Sequence, residues 1–292
     1  MAPKDEEKAV KIAVTTEKDK PKQEGSNKNA NKKSDDDDTP TMSEEDKELK
    51  ERLETCVSTL LNEQSEESVT VPIRLKALDV IVTELRSSTS TMTSVPKPLK
   101  FLRPHFSVLR KLHSTLSDDS AVVKDNDYLM LRARLADVLS VLAMTMGNEE
   151  DRESLKFKLS GMKDYDILKS NGANLGDGDN LGSWGHEYAR SLAGEIGQEY
   201  NSRVLAGADP DTDEPFTDLL GMVDVIVPFH MSHNAEAEAV DLLIEVQRLS
   251  KLKDLDSIDE TNYSRICLYL IKTADYMSDP DDLSVSFHIL YY

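Results

Sequence analysis

The chain has 292 residues, room for one large domain or two ordinary ones, and carries 55 acidic against 35 basic side chains for a formal net charge of −20. That surplus excludes nucleic acid as a natural partner, because phosphate binding needs clustered Lys and Arg; it favours solubility and basic protein surfaces instead. Cys56 and Cys267 are too few and too far apart for a disulfide framework or a metal knuckle and read as reduced thiols, and the longest apolar run, Leu135 to Met146, carries Asp137 and is too short to span a bilayer.

From the N-terminus, residues 1–42 read as a disordered charged tail, rich in Lys, Glu, Asp, Asn and Pro and almost without large apolar side chains to offset ordering entropy. The start is charged and lacks the apolar segment of a signal peptide, so a cytoplasmic and nuclear protein is expected. The 35-DDDD-38 run reads as a solvated acidic tract. Ser34 and Ser43, each followed by acidic residues, fit an acid-directed kinase.

From Ser43 helical periodicity dominates. Leu53, Val57, Leu60 and Leu61 form a first stripe; after Pro72 come Ile73, Ala77, Ile81 and Leu85, with Leu78 and Val82 beside them. The stretch 87-SSTSTMTSVPKP-98 reads as a loop. Pro104 suits the first turn of a helix carrying Phe106, Leu109, Leu112 and Leu116 on one face. A longer helix follows, with Leu131, Leu135, Val138 and Leu142 at helical spacing and Gly147 as its stop. Residues from about 161 to 182 read as a flexible inserted loop, because Gly, Asn and Asp dominate its later part. Trp184, Tyr188, Leu192 and Ile196 restart the pattern, and Pro215 begins a short helix running towards Pro228. Helices from Ala239 to Leu249 and from Tyr263 to Met277 complete it. Only 223-VDVIVPF-229 is β-branched enough to suggest a strand, and Pro228 argues against a central one. The expected fold is all-α: an antiparallel helical array or solenoid-like rod over residues 43–292, without a strict sequence repeat, preceded by the tail.

Two stretches suggest chemistry. In 186-HEYAR-190 the zinc-protease pattern HExxH fails at its fifth position, where Arg190 replaces the second histidine, so His186 and Glu187 read as part of a packed helix. In 227-VPFHMSHNAEAEAVDLLIEV-246, His230, His233 and Glu236 look like metal ligands. On one helix, however, spacings of three and six turn the side chains by about 60° and 120°, so three ligands do not converge. The alternative is a helix start capped by Asn234 or Ser232, with Glu236 and Glu238 in its first turn and Ala239, Leu242, Leu243, Val246 and Leu249 as its buried stripe. Capping accounts for more of the letters. No phosphate-binding glycine loop and no GxSxG elbow occurs, so no catalytic, cofactor-binding or metal residue and no cofactor is assigned.

Four segments together, 91-TMTSVPKPLKFLRPHF-106, 138-VLSVLAMTM-146, 183-SWGHEYARSLAGEI-196 and 228-PFHMSHNAEAEAVDLLIE-245, closely resemble the N-terminal region of one family, from about Glu44 to Tyr276. It comprises large non-ATPase subunits in the base of the 26S proteasome regulatory particle, numbered 2 in animals and 1 in yeast. The resemblance implies a non-catalytic scaffold that supports ATP-dependent degradation of ubiquitinated proteins. It implies a helical rod followed by a toroid of helical repeats, which docks on the ATPase ring and receives ubiquitin, ubiquitin-like domains and a deubiquitinase. That toroid is expected downstream of Tyr292, so no receptor residue is carried over, and neither nucleic acid nor membrane is an expected partner. Three features depart from the family pattern: a longer loop at 161–182, His230 where Asn is usual, and the ending 282-DLSVSFHILYY-292. Two other readings stay open: a metal-dependent hydrolase using His230 and His233, and a helical-repeat adaptor unrelated to the proteasome.

Overall fold

Helix α1 (Glu44–Leu61) begins where its cap does: the Ser43 hydroxyl accepts the Asp46 N–H at 3.3 Å, and Glu44, Glu45 and Asp46 sit at the positive end of the helix dipole. The computed structural model describes residues 42–61, 70–89, 95–118, 125–146, 151–176, 180–277 and 280–290, all in the unit that begins at Met42. The expected tail lies outside them apart from Met42, as does Gly147, the expected helix stop. Ten further α-helices follow among the described residues: α2 (Val71–Thr89), α3 (Lys97–Leu102), α4 (Phe106–Asp118), α5 (Asn126–Met144), α6 (Glu153–Ser170), α7 (His186–Leu205), α8 (Thr217–Ser232), α9 (Glu236–Glu245), α10 (Tyr263–Thr273) and α11 (Pro280–Leu290). No strand occurs among the described residues.

The architecture is a helical array in which most helices pack on their neighbours in the chain. Helix α5 is its axis: Leu131, Leu135, Val138, Leu139 and Leu142 are all fully buried, and α2, α4, α6 and α7 pack around them. Asp125 caps α5 by accepting the Asp127 N–H at 2.9 Å. Towards the C-terminus α7 packs on α8 and α9, α9 on α10, and α11 on α10 and on the short 3-10 turn Leu249–Asp254. The core is mainly aliphatic, with Trp184, Tyr165, Tyr188, Tyr200 and Phe216 as its largest buried apolar side chains, and each fully buried Leu contributes about 1.5–3 kcal/mol through the water-exposed area it removes.

Four expectations need correction. The polar stretch expected as a loop over 87–98 is helical at both ends, since α2 runs to Thr89 and α3 begins at Lys97, with Pro98 tolerated in its first turn. Ile73, placed on the α2 stripe by its spacing, is half-exposed, whereas Leu78, Ile81 and Leu85 are fully buried. The loop expected from about 161 is helix as far as Ser170, and Gly161 is a packing contact: a Cβ there would meet the Ala133 carbonyl oxygen at 3.2 Å and the Ala136 methyl at 3.3 Å. Helix α8 does not stop at Pro228 but carries it internally, because Val223, Ile226, Val227 and Met231 bury one continuous face across it.

The cap expected at Asn234 or Ser232 is also absent. Asn234 takes the left-handed conformation (φ 57°) and closes α8, with the Ala235 N–H reaching back to the His230 carbonyl at 3.0 Å. The Ser232 hydroxyl bonds the Phe229 carbonyl at 2.8 Å, and α9 starts after Ala235 without a side-chain cap. The stripe Ala239, Leu242, Leu243, Val246 and Leu249 is buried as expected, but its last two members lie beyond the end of α9, where Gln247 (φ 53°) turns the chain.

Candidate functional site

The break between α8 and α9 separates the three proposed metal ligands. His230 sits in the last turn of α8, His233 at its end, and Glu236 in the first turn of α9. Glu236 turns to α10, where Arg265 donates to it through two nitrogens, one (Nε) at 3.1 Å. Those bonds outweigh its burial and hold its carboxyl below the usual range. Arg265 also donates to the Asn234 side-chain carbonyl at 3.1 Å, so one guanidinium ties α10 to the turn after α8 and to the start of α9. His233 stacks on Phe229 with ring centroids 4.1 Å apart, and its Nδ1 lies 2.7 Å from the Phe229 carbonyl.

His230 instead meets His186, the first residue of α7, edge to face at 5.1 Å. Sequence spacing gave no reason to pair them; the contact comes from α7 packing on α8. The turn Leu181–Trp184 makes it possible, because Gly182 lets the Phe229 ring approach where a Cβ would lie 2.7 Å from it. His230 is completely buried, and neither ring nitrogen has a hydrogen-bond partner among the described residues. Desolvation, reinforced by His186, pushes its pKa down to about 4 against a smaller opposing effect of Glu238. A neutral imidazole in that setting packs as an aromatic ring. Among the described residues no group of three or more His, Cys, Asp or Glu side chains is placed to hold a metal ion. In 186-HEYAR-190, Tyr188 points inward to the core and Arg190 is exposed.

The more elaborate chemistry, which sequence reasoning missed, lies between α5 and α6. Lys158 and Asp137 form an ion pair at 2.8 Å with both side chains 2% exposed, and the Tyr165 hydroxyl donates to the other Asp137 oxygen at 2.8 Å. One turn along, Ser140 bonds the Ser154 carbonyl at 2.7 Å and shares a hydrogen bond with the Tyr188 hydroxyl at 2.7 Å, and Ser154 returns one to the Ser140 carbonyl at 2.8 Å. Burial, with Asp137 nearby, drives the Tyr188 phenol far above its ordinary pKa, so it stays a neutral partner. At the other end Arg132 grips Asp164 with two nitrogens, one bond measuring 2.8 Å. The Glu195 carboxylate of α7 accepts the Leu155 N–H at 2.7 Å, satisfying an unpaired donor in the first turn of α6, and burial raises its pKa. Every one of these groups has a partner, which is the condition under which buried polar groups specify a packing. The arrangement locks two helices in register.

The family model described as RPN1 N-terminal domain matches residues 53–291. That match takes in residues 282–291, so the ending that departs from the expected pattern lies within the family's domain. Among curated proteins, the chain is 45% identical to the 26S proteasome non-ATPase regulatory subunit 2 of Dictyostelium discoideum, over 84% of this chain and 23% of that protein. It is 45% identical to the Arabidopsis thaliana 26S proteasome non-ATPase regulatory subunit 2 homolog A over 83% of this chain and 23% of that protein. The Neurospora crassa 26S proteasome regulatory subunit rpn-1 is 37% identical over 82% of this chain and 22% of its own length. The chain thus spans a little under a quarter of the length of these relatives. A model match over most of its residues shows that the chain belongs to the RPN1 N-terminal domain family.

Proposed function

We propose that this chain is the N-terminal helical part of a proteasome regulatory subunit and acts as a non-catalytic scaffold in the base of the regulatory particle. The observation that carries this reading is the 45% identity, across 84% of the chain, to a protein named as a non-ATPase regulatory subunit. The fully paired polar seam between α5 and α6 supports it physically, since it serves rigidity and not turnover. The partners are other base subunits, including the ATPase ring. Ubiquitin, ubiquitin-like domains and a deubiquitinase engage the downstream repeats that this region precedes. The site of action is the cytoplasm and nucleus; none of the described helices is long and apolar enough to cross a membrane. The family match speaks against an adaptor unrelated to the proteasome.

A chimera tests the proposal without asking a quarter of a subunit to assemble alone. Residues 42–292 replace the matching segment of the Dictyostelium subunit, and tagged particles are purified and analysed by mass spectrometry. Incorporation with the proteasomal ATPases at the parental level is expected. A chimera that is soluble and helical, yet absent from particles while the parent subunit enters them, overturns it.

A further inference from the structure

Residues 85–117 run against the charge of the whole: they carry six Lys or Arg and no Asp or Glu, in a chain of net charge −20. The stretch contains α3, the 3-10 turn Arg103–His105 and all of α4 but its last residue. These elements bury Leu99, Leu102, Phe106, Leu109 and Leu116 against the array. They leave Lys97, Lys100, Pro104, Val108, Lys111 and Thr115 exposed at steps of three and four, which is one helical face. Lys97 pairs with Asp46 of α1 at 2.8 Å, and Arg110 with Glu153 of α6 at 2.7 Å. In both pairs the cation is the outer member, with side-chain exposures of 60% against 17% and 54% against 29%. Lys100 and Lys111 have no ion-pair or hydrogen-bond partner among the described residues. The other two cations point elsewhere: Arg103 donates to the Thr145 carbonyl at 2.6 Å at the end of α5, and Arg86 of α2 lies over the Trp184 ring.

We propose that the outer face of α3 and α4 docks an acidic segment of a partner protein, with carboxylates that meet Lys100 and Lys111 and an apolar side chain between them. Complementary charge is what selects such a partner and speeds its encounter, and here the outward charges are all positive. The rise of the two helices and the turn sets Lys100 and Lys111 roughly 17 Å apart. That exceeds the ~8–10 Å over which salt screens exposed charges, so each lysine takes its own carboxylate. Val108, 39% exposed, lies between them in the same face and offers the apolar contact. A nucleic-acid strand fits this face poorly. It presents one phosphate every ~3.4 Å, most of which two free lysines so far apart would leave unmatched, and the acidic remainder of the chain repels it.

The probe is a fluorescein-labelled helical peptide with glutamates three turns apart and a leucine midway, titrated against the full chain at low salt and followed by anisotropy. Saturable binding that weakens as salt rises is expected, with none for the same peptide carrying glutamine. Reversing both free lysines, Lys100→Glu with Lys111→Glu, weakens binding roughly tenfold, because two attractions become two repulsions. Lys163→Glu with Lys272→Glu changes the net charge equally at exposed lysines of α6 and α10 and leaves binding unchanged. A second measurement needs no variant: acetylation of the native chain, read by mass spectrometry, slows at Lys100 and Lys111 when the peptide is present and not at Lys163 or Lys272. Absent binding, equal loss in the two double variants, or protection at the control lysines overturns the proposal. Tighter binding of a single-stranded DNA oligonucleotide of equal charge overturns the assignment to a protein partner. The readout needs no proteasome subunit, so its failure is distinct from failure of the chimera.

Discussion

Acid should loosen this fold through His230, and the size of the effect follows from its burial. In an unfolded chain the imidazole titrates near ~6.5. In the native chain desolvation holds it at about 4, and the neutral ring packs against His186 without a hydrogen bond. Above the unfolded value the group contributes no pH dependence. As pH falls below it, the unfolded state takes up a proton that the native state refuses, and stability declines until the native ring also titrates. Between pH 7 and 4.5 the linkage relation gives a loss of about 2 kcal/mol from this single group. For a domain of this size each kcal/mol moves the melting temperature by roughly 2–4 °C, so the share of His230 is about 4–8 °C. His230→Phe keeps an aromatic ring against His186 and removes the titration. Thermal melts followed by circular dichroism at both pH values, for wild type and variant, isolate that share as a difference of differences. Equal acid-induced drops in the two proteins would refute the reasoning.

Lys158→Met leaves the Asp137 carboxylate buried without its counter-ion and should cost about 3–5 kcal/mol in urea unfolding. Adding Asp137→Leu should recover part of that loss although Tyr165 loses its acceptor; simple additivity of the two single costs would contradict the coupling. Gly161→Leu should overpack the contact with Ala133 and Ala136 and cost about 1–3 kcal/mol, read from melting temperature; an unchanged melt would mean that the helices do not approach so closely. Arg265→Gln strips Glu236 of its ion pair and should lower the melting temperature at neutral pH. Because Arg265 holds the Glu236 carboxyl low, that loss should shrink as pH falls below the ordinary glutamate range; a pH-independent cost would count against it.

Helix was legible wherever Leu, Ile and Val wrote the buried stripe, as in α1, α5 and α9. Helix α6 escaped because its stripe is spelled in other letters. Its buried residues are Ser154, Leu155, Lys158, Gly161, Asp164, Tyr165 and Leu168, and only the two leucines are aliphatics that a search for apolar periodicity counts. Their burial depends on Asp137, Ser140 and the bare backbone at Ala133, which belong to another helix and are invisible from α6 alone. Helix α8 was cut short because Pro228 is a breaker by propensity, and the packing that overrides it is again tertiary. Asn234, expected as a side-chain cap that opens α9, instead closes α8 through its left-handed backbone, which a capping pattern does not reveal. For the histidines, the geometry of one helix was applied to residues that two helices carry. That geometry does not reach across the break between α8 and α9 and gives no reason to expect His186.

The seam between α5 and α6 has a mechanical consequence. An interface of leucines tolerates axial sliding, since one apolar knob resembles the next and contacts re-form after a helical turn of about 5.4 Å. Here such a slip would strand Lys158, Asp137, Arg132 and Asp164 away from their partners, with no water to replace them. The two helices therefore resist shear as a single strut until several directional bonds fail together. Displacement applied at one end of the pair is thus passed to the other through paired charges and not through interchangeable apolar contacts.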